Sequence, residues 1–302
     1  MNSAKALETQ RWAALPERGT PGTLRFILWC AARVGRTTMR FLLYPIAAYF
    51  VATAHSARLA SSDYLRRVHG RAPHWWNIFG HFYYFATTIL DRVYLLRRDF
   101  SRFSITIHGQ DLLDRQLKTG KGCVLLGSHL GSFEVLRALG VSQQRFPIKV
   151  LMDIDHNQNL TRFLDALNPE IARTVIVPDQ PDTLLRVKEN LDAGFFVGML
   201  GDRATANEKT TQCQFLGAPA TFPAGPVLVP AMTHCPVILF FGLYRGRNRY
   251  EIFFEHFAEE IVLDRDRRSA EIQKWMQRYA ERLEHYTRSA PSNWFNFYPF
   301  WS

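Results

Sequence analysis

The chain has 302 residues, of which 47% are hydrophobic and 21% charged, and its formal net charge is +10. That balance excludes an intrinsically disordered chain and leaves room for one large domain, or a core with an appendage. Residues 1–120 hold 17 Lys/Arg against 7 Asp/Glu, while residues 121–302 hold 20 of each, so the whole excess of positive charge lies in the front part.

A basic front end serves nucleic acid or anionic lipid. Here the arginines alternate with apolar runs, as in Arg25-Phe26-Ile27-Leu28-Trp29 and Arg40-Phe41-Leu42-Leu43-Tyr44. That texture suits a membrane interface, and no nucleic-acid-binding module is evident. The four cysteines, Cys30, Cys123, Cys213 and Cys235, form no C-x-x-C pair. They read as free, mostly buried thiols, with no disulfide framework or zinc site, as in a reducing compartment.

Residues 1–23 are polar and contain no apolar stretch of the kind a cleaved signal peptide needs. The region around Trp12 reads as an amphipathic arm. From Leu24 to Leu65 the pattern is helical, with Pro45 placed to kink it. Phe41 to Ala54 is almost continuously apolar but shorter than the roughly 20 residues that a bilayer span takes. The reading is an interfacial hairpin in preference to a single span, with Arg33, Arg36, Arg40, Arg58, Arg66 and Arg67 facing lipid on the cytoplasmic side. Residues 69–99 carry an aromatic stripe at helical spacing, in which Asp91-Arg92 reads as a local pair or as the cap of a neighbour, and His74 and His81 as structural or solvated. The division expected is a membrane-associating helical region at 1–100 and an α/β domain at 101–302.

From Phe103 strands and helices alternate. Strands are expected at Phe103–Ile107, Cys123–Leu126, Pro147–Met152, Thr174–Val177 and Phe195–Leu200. Helices are expected at Asp111–Leu117, Phe133–Leu139, Asn157–Leu167 and Asp182–Leu191. Residues 204–211 read as a polar, mobile loop, and Phe222–Thr233 as a turn and helix. Val237–Tyr244 and Tyr250–Phe254 read as a hairpin, and Ser269–Ser289 as a long amphipathic helix. The alternation predicts an α/β fold with a mostly parallel central sheet flanked by helices. The aromatic tail, Trp294 to Trp301, either seals the core or dips into the interface.

The chemistry centres on Gly127-Ser128-His129-Leu130-Gly131-Ser132-Phe133-Glu134. His129 follows a buried strand, at the edge where open α/β sheets place their sites. Ser132 is placed to cap the next helix, and Glu134 lies in its first turn. A histidine and a carboxylate so placed can act as a base and its orienting partner. The same spacing also suits a structural histidine and a glutamate favoured by the helix dipole. Gly201-Asp202-Arg203 closes another strand, where the arginine can bind a phosphate or carboxylate or simply pair locally. Phe222-Pro223-Ala224-Gly225-Pro226 opens a helix whose amides can hold an anion. No nucleophile elbow, dinucleotide fingerprint or P-loop is present.

His129 to Glu134 fits an H-x4-D/E motif. With Gly201-Asp202-Arg203 and Phe215 to Pro226, the sequence resembles the lysophospholipid acyltransferase superfamily. The closer likeness is to the bacterial lipid A biosynthesis (late) acyltransferases, with features of a subgroup associated with aryl polyene or other specialised lipids. The Glu-Gly-Thr-Arg form common in glycerolipid members is missing at 224–226. The resemblance implies a membrane-associated O-acyltransferase at the cytoplasmic face of a bacterial inner membrane, needing no cofactor or metal. Acyl carrier protein or acyl-CoA would be the donor and a lipid hydroxyl the acceptor. It implies His129 as base and Glu134 as its orienting partner, with Ser128, Gly131, Asp202, Arg203, Pro223 and Gly225 around the substrates. Within that reading, backbone amides near Gly131 would hold the oxyanion. Two other functions use the same residues, a non-catalytic lipid-binding protein and a thioesterase that delivers the acyl group to water.

Overall fold

The computed structural model describes residues 33–136, 146–152, 173–178, 180–204 and 208–301. The Trp12 arm, the helix expected at 157–167 and Cys30 lie outside them. Three helices come first: α1 (Arg36–Thr53), α2 (His55–His69) and α3 (Trp75–Leu96). Pro45 lies inside α1. Gly70 ends α2 in the left-handed conformation. His74 opens α3 with a capping box. Its side chain accepts from the Trp76 amide, and the Asn77 side chain accepts from the His74 amide.

After α3 come β1 (Ser104–His108), α4 (Gln110–Lys118), β2 (Val124–Gly127), and α5, described over 133–136. Then follow β3 (Ile148–Leu151), β4 (Val175–Ile176), α6 (Thr183–Asp192) and β5 (Phe196–Leu200). The last third holds β6 (Thr210–Phe215), β7 (Ala218–Pro223), α7 (Gly225–Thr233), β8 (Val237–Tyr244), β9 (Arg249–Ala258) and α8 (Arg268–Ser289). Seven strands form one sheet in the order β1-β9-β8-β2-β5-β3-β4. Strands β8, β2, β5, β3 and β4 run parallel, while β9 is antiparallel to β8 and carries β1 parallel to itself. This is the expected α/β architecture with a mostly parallel sheet between helices.

Strand β2 and the long β8 are buried along their whole length, as strands covered on both faces must be. Alternate residues go to opposite layers. Val124, Leu126, Leu239 and Phe241 face a cluster with Met276, Tyr279 and Leu283 of α8 and Phe215 and Phe222 of the β6–β7 hairpin. Leu125, Ile238 and Phe240 face the opposite cluster, with Met39, Leu43 and Ala47 of α1 and Leu90 and Tyr94 of α3.

The structure corrects three expectations. Residues 210–223 form an antiparallel hairpin, and the helix begins only at Gly225. Leu216 and Gly217, at φ 51° and 81°, make its two-residue turn, the geometry that matches strand twist. Second, several of the front-end arginines bond protein rather than lipid. Arg36 is buried and bidentate to Asp91 at 2.7 and 2.8 Å, and it also donates to the Arg247 carbonyl. Arg58 donates to the Val51 and Ala52 carbonyls at the end of α1, and Arg67 stacks on Trp301 and pairs with Asp63. Third, Asp91 does not pair locally with Arg92. It accepts from Arg36 and from the Tyr250 hydroxyl at 2.8 Å, tying α1 and α3 to β9.

The aromatic tail seals the core. Trp294 is 1% exposed, and Phe295 and Phe300 are also buried. Among the described residues no helix is long and apolar enough to cross a membrane. Large apolar side chains are nevertheless exposed on the first and third helices. Phe41, Leu42, Tyr44 and Tyr49 lie on α1, and Trp75 and Trp76 on α3. Phe79 joins the two sets through ring contacts with Tyr44 and Trp76.

Candidate active site

The adjacent parallel strands β2 and β5 bring the first two blocks together. Gly127 is in register with Leu200, the last residue of each strand. His129 and Asp202 each lie two residues further on, so they emerge side by side at the carboxyl edge of the sheet. Tyr279 of α8 fixes this end by donating to the Gly127 carbonyl at 2.7 Å. At Gly201 an added Cβ would meet Leu126, Pro226 and Tyr279 at 3.0 to 3.1 Å, so the first turn of α7 packs closely over the strand end.

His129 Nδ1 lies 2.9 Å from Asp202 Oδ1. A carboxylate can only accept, so Nδ1 carries the proton and Nε2 keeps its lone pair. The His129 backbone amide also donates to both Asp202 oxygens, at 3.1 and 3.0 Å. The indole Nε1 of Trp294 donates to Oδ2 at 2.8 Å. Burial pushes the Asp202 carboxyl up, but His129, Arg203 and the Trp294 bond together hold it at about 2. It is therefore ionised across the neutral range. Burial and the Arg203 charge lower the His129 pKa against the opposing pull of Asp202, with Arg92 adding to the depression. The imidazole is neutral at pH 7. Its side chain is 34% exposed while Asp202 is fully buried, so Asp202 fixes the ring from inside and Nε2 faces the opening.

The turn after His129 is held by backbone bonds. The Gly131 amide donates to the Asn293 carbonyl and the Ser132 amide to the Gly242 carbonyl, both at 2.8 Å. Gly131 has φ +77°, and a Cβ there would stand 2.0 Å from the Gly242 carbonyl oxygen. Only glycine allows this approach. These two amides are thus committed to the fold, so the oxyanion contact expected at Gly131 does not have a free donor there. Ser132 precedes α5, but among the described residues its buried hydroxyl has no hydrogen-bond partner and makes no side-chain cap.

A family model described as bacterial lipid A biosynthesis acyltransferase matches residues 26–302. The chain belongs to that family. A comparison with curated proteins finds no match. Members of the lipid A biosynthesis acyltransferase family are acyltransferases, and so is this chain. The family assignment also agrees with the resemblance carried by the three sequence blocks.

Within this acyltransferase the expected residues do not all meet. Asp202, expected only to orient substrate, is the carboxylate that holds His129. Among the described residues the carboxylate bonded to His129 Nδ1 is that of Asp202, the contact that was expected of Glu134. Glu134 is buried in the first turn of α5, on the segment that follows the His129 turn. Ser128 is buried beside His129. Arg203 donates to the Phe295 carbonyl at 2.7 Å and lies over the Tyr298 ring, so part of its bonding secures the tail. Pro223 ends β7, opposite Thr210. A Cβ added at Gly225 would stand 2.6 Å from a Glu208 carboxylate oxygen, so an internal carboxylate lies near the start of α7, where an anion was expected. Trp294 escaped the sequence reading because a tryptophan in an aromatic tail carries no signal for a partner 92 residues away. Among the described residues no group of three His, Cys, Asp or Glu side chains is arranged to hold a metal ion.

Proposed function

We propose that this acyltransferase moves a fatty acyl group from a thioester, on acyl carrier protein or coenzyme A, to a hydroxyl of a membrane lipid or glycolipid, with His129 as general base. The observation that carries the reading is the bond from His129 Nδ1 to the buried, ionised Asp202. It leaves a neutral, accessible Nε2 at the sheet edge. Nε2 takes the proton as the acceptor oxygen bonds to the thioester carbonyl carbon. The C–S bond then breaks, and the imidazolium returns the proton to the leaving thiolate. Asp202 stabilises the imidazolium between those steps. Glu134 completes the motif as a second carboxylate near the base. Ser128, Gly131, Pro223 and Gly225 shape the walls of the substrate site, and Arg203 meets the anionic part of a substrate. No cofactor is needed, because the thioester is already activated.

The enzyme would work from the membrane surface at the cytoplasmic face, with the aromatic ridge on α1 and α3 dipping into the interface. Exposed Tyr and Trp side chains suit the headgroup boundary. Residues 1–100 would supply this attachment and residues 101–302 the chemistry.

The test is mass spectrometry of lipid extracts from cells carrying the wild type, His129→Ala or Asp202→Asn, at matched protein levels. One lipid class short of one acyl chain in both variants supports the reading and names the acceptor. Unchanged lipids in both, while deletion of the gene still alters them, would remove His129 as the base. Release of free fatty acid with no acylated lipid would assign the thioesterase reaction instead.

A further inference from the structure

The tail pairs with the His129 turn, and that pairing leaves one buried carbonyl for α3 to take. Leu130 and Trp294 face each other as an antiparallel pair. The bonds lie on either side of them, from the Gly131 amide to the Asn293 carbonyl at 2.8 Å and from the Phe295 amide to the His129 carbonyl at 3.2 Å. In such a pair the peptide groups of Trp294 itself point away from the turn. The Trp294 carbonyl accepts from His81 Nε2 of α3 at 2.8 Å, in a buried site. The indole Nε1 of the same residue donates to Asp202, which in turn accepts from His129 Nδ1. Trp294 is therefore held by its main chain on one side and holds the catalytic carboxylate by its side chain on the other.

His81 is itself fixed. Its Nδ1 accepts from the Ser61 hydroxyl of α2 at 2.8 Å, which keeps the proton on Nε2, where the Trp294 carbonyl needs it. Phe297 stacks on the ring at 4.5 Å, and Tyr64 lies 5.3 Å away. Tyr64 also donates to the Pro291 carbonyl at 2.6 Å, so α2 grips the tail just upstream of Trp294. Among Tyr64, Phe295 and Phe297 a phenylalanine would fill the same space with no polar atoms to bury. What the histidine adds is the directed bond.

We propose that His81 is a positioning residue for the His129 base, acting through Trp294 and Asp202. By setting the Trp294 peptide it aims the indole N–H at the carboxylate, and the carboxylate holds the Nδ1 proton. This role rests on the acyl-transfer reading and extends it. The helical front region supplies part of the catalytic geometry, through Ser61 and His81, besides any attachment to a membrane. His81 does not face the substrates, so its loss lowers the fraction of His129 held in the reactive orientation and acts on turnover.

The test uses the full-length, detergent-solubilised enzyme with isotope-labelled histidine and tryptophan. His81→Asn and His81→Gln separate the two ring nitrogens. The asparagine amide reaches only the place of Nδ1 and keeps a partner for Ser61. The glutamine amide reaches the place of Nε2 and keeps a donor for the Trp294 carbonyl. NMR follows the His129 Nδ1–H, the Trp294 indole N–H and, as a control on the fold, the indole N–H of Trp275, which packs on Phe257 of β9. In His81→Asn the first two signals are expected to move towards those of weaker bonds while Trp275 stays in place. The acylated lipid in cells, at matched protein levels, is expected to fall by about 3- to 10-fold. His81→Gln is expected to restore both signals and product. Wild-type His129 and Trp294 signals in a folded His81→Asn variant, or the same shift in both variants, overturns the proposal. So do wild-type lipid levels in His81→Asn where His129→Ala abolishes the product. If His81→Asn does not fold, Ser61→Ala takes its place. It releases the His81 tautomer and should shift the same two signals by less, and unchanged signals there overturn the proposal equally. The signals need no turnover. If His129→Ala leaves the lipids unchanged, the acyl-transfer reading fails, while the signals still decide whether His81 positions His129.

Discussion

Trp294 Nε1 donates to Asp202 Oδ2 at 2.8 Å, the oxygen opposite the one that bonds His129 Nδ1. The tail thereby clamps the carboxylate that fixes the base. A hydrogen bond to a buried charge contributes about 1.5–3 kcal/mol, so its loss should be visible in catalysis. Trp294→Phe keeps most of the apolar bulk and removes the donor. We expect kcat to fall by about 10- to 100-fold with little change in KM. Because one of the bonds that favour the Asp202 anion is lost, the acid limb of the pH–rate profile should also move. A variant with wild-type kcat and pH profile would make the indole bond irrelevant to the base.

Asp202 and Glu134 make different predictions. Asp202→Asn removes the acceptor that holds Nδ1–H and should lower kcat on the order of 10²- to 10⁴-fold. It should also drop the His129 pKa further, since Asp202 is the neighbour that raises it. Glu134→Gln leaves that bond untouched and should cost less than Asp202→Asn. Single-turnover acyl transfer, with the His129 pKa followed by NMR, compares the two. A larger loss in Glu134→Gln would return the orienting role to Glu134.

His81 gives stability a pH dependence. Its Nε2–H donates to the Trp294 carbonyl at 2.8 Å, so Nδ1 accepts from the Ser61 hydroxyl, also at 2.8 Å. Burial lowers its pKa from 6.5 to about 4. The unfolded chain then binds more protons between those values, and stability rises with pH across that window. The contribution is complete above about pH 6.5 and is lost on acidification towards pH 4, amounting to up to about 3 kcal/mol. Urea unfolding at pH 7 and pH 5 should show the drop, and His81→Gln should flatten it.

Gly131 joins the His129 turn to β8 through the contact at Gly242. In Gly131→Ala a Cβ would fall 2.0 Å from the Gly242 carbonyl oxygen, and the backbone would be held at φ +77°. The strain alone is worth about 1–3 kcal/mol. Thermal melting should fall by several degrees and activity should be lost with it. Gly217→Ala tests the other extreme. Nothing lies within 4 Å of its added Cβ, and only the strain of φ +81° is paid.

The ridge on α1 and α3 should govern membrane attachment. Trp75→Ser with Trp76→Ser removes two exposed indoles, 53% and 60% exposed, from its start. Binding to vesicles of anionic phospholipid, measured by sedimentation, should weaken by about 10-fold or more, with thermal stability unchanged. Equal binding by the double variant would place the attachment elsewhere.

The sequence by itself determined the strands of the central sheet and the edge where the chemistry lies, but not the β6–β7 hairpin. Buried apolar runs such as Val124–Leu126 and Val237–Tyr244 can only be strands covered on both faces, and glycines at 127 and 131 can only mark a turn at a strand end. It also put His129 and Asp202-Arg203 each at such an end. It could not pair them, because local pattern carries no sheet order, and Glu134 was the nearer carboxylate along the chain. Only the tertiary structure decided that β2 lies beside β5 in the register Gly127–Leu200, which sets Asp202 against His129 across 73 residues. The same holds for Arg36 with Asp91 and Trp294 with Asp202. Each is a contact between a buried polar group and a partner distant in sequence. Burial forces such a group to find a partner, while the packing of layers decides which one.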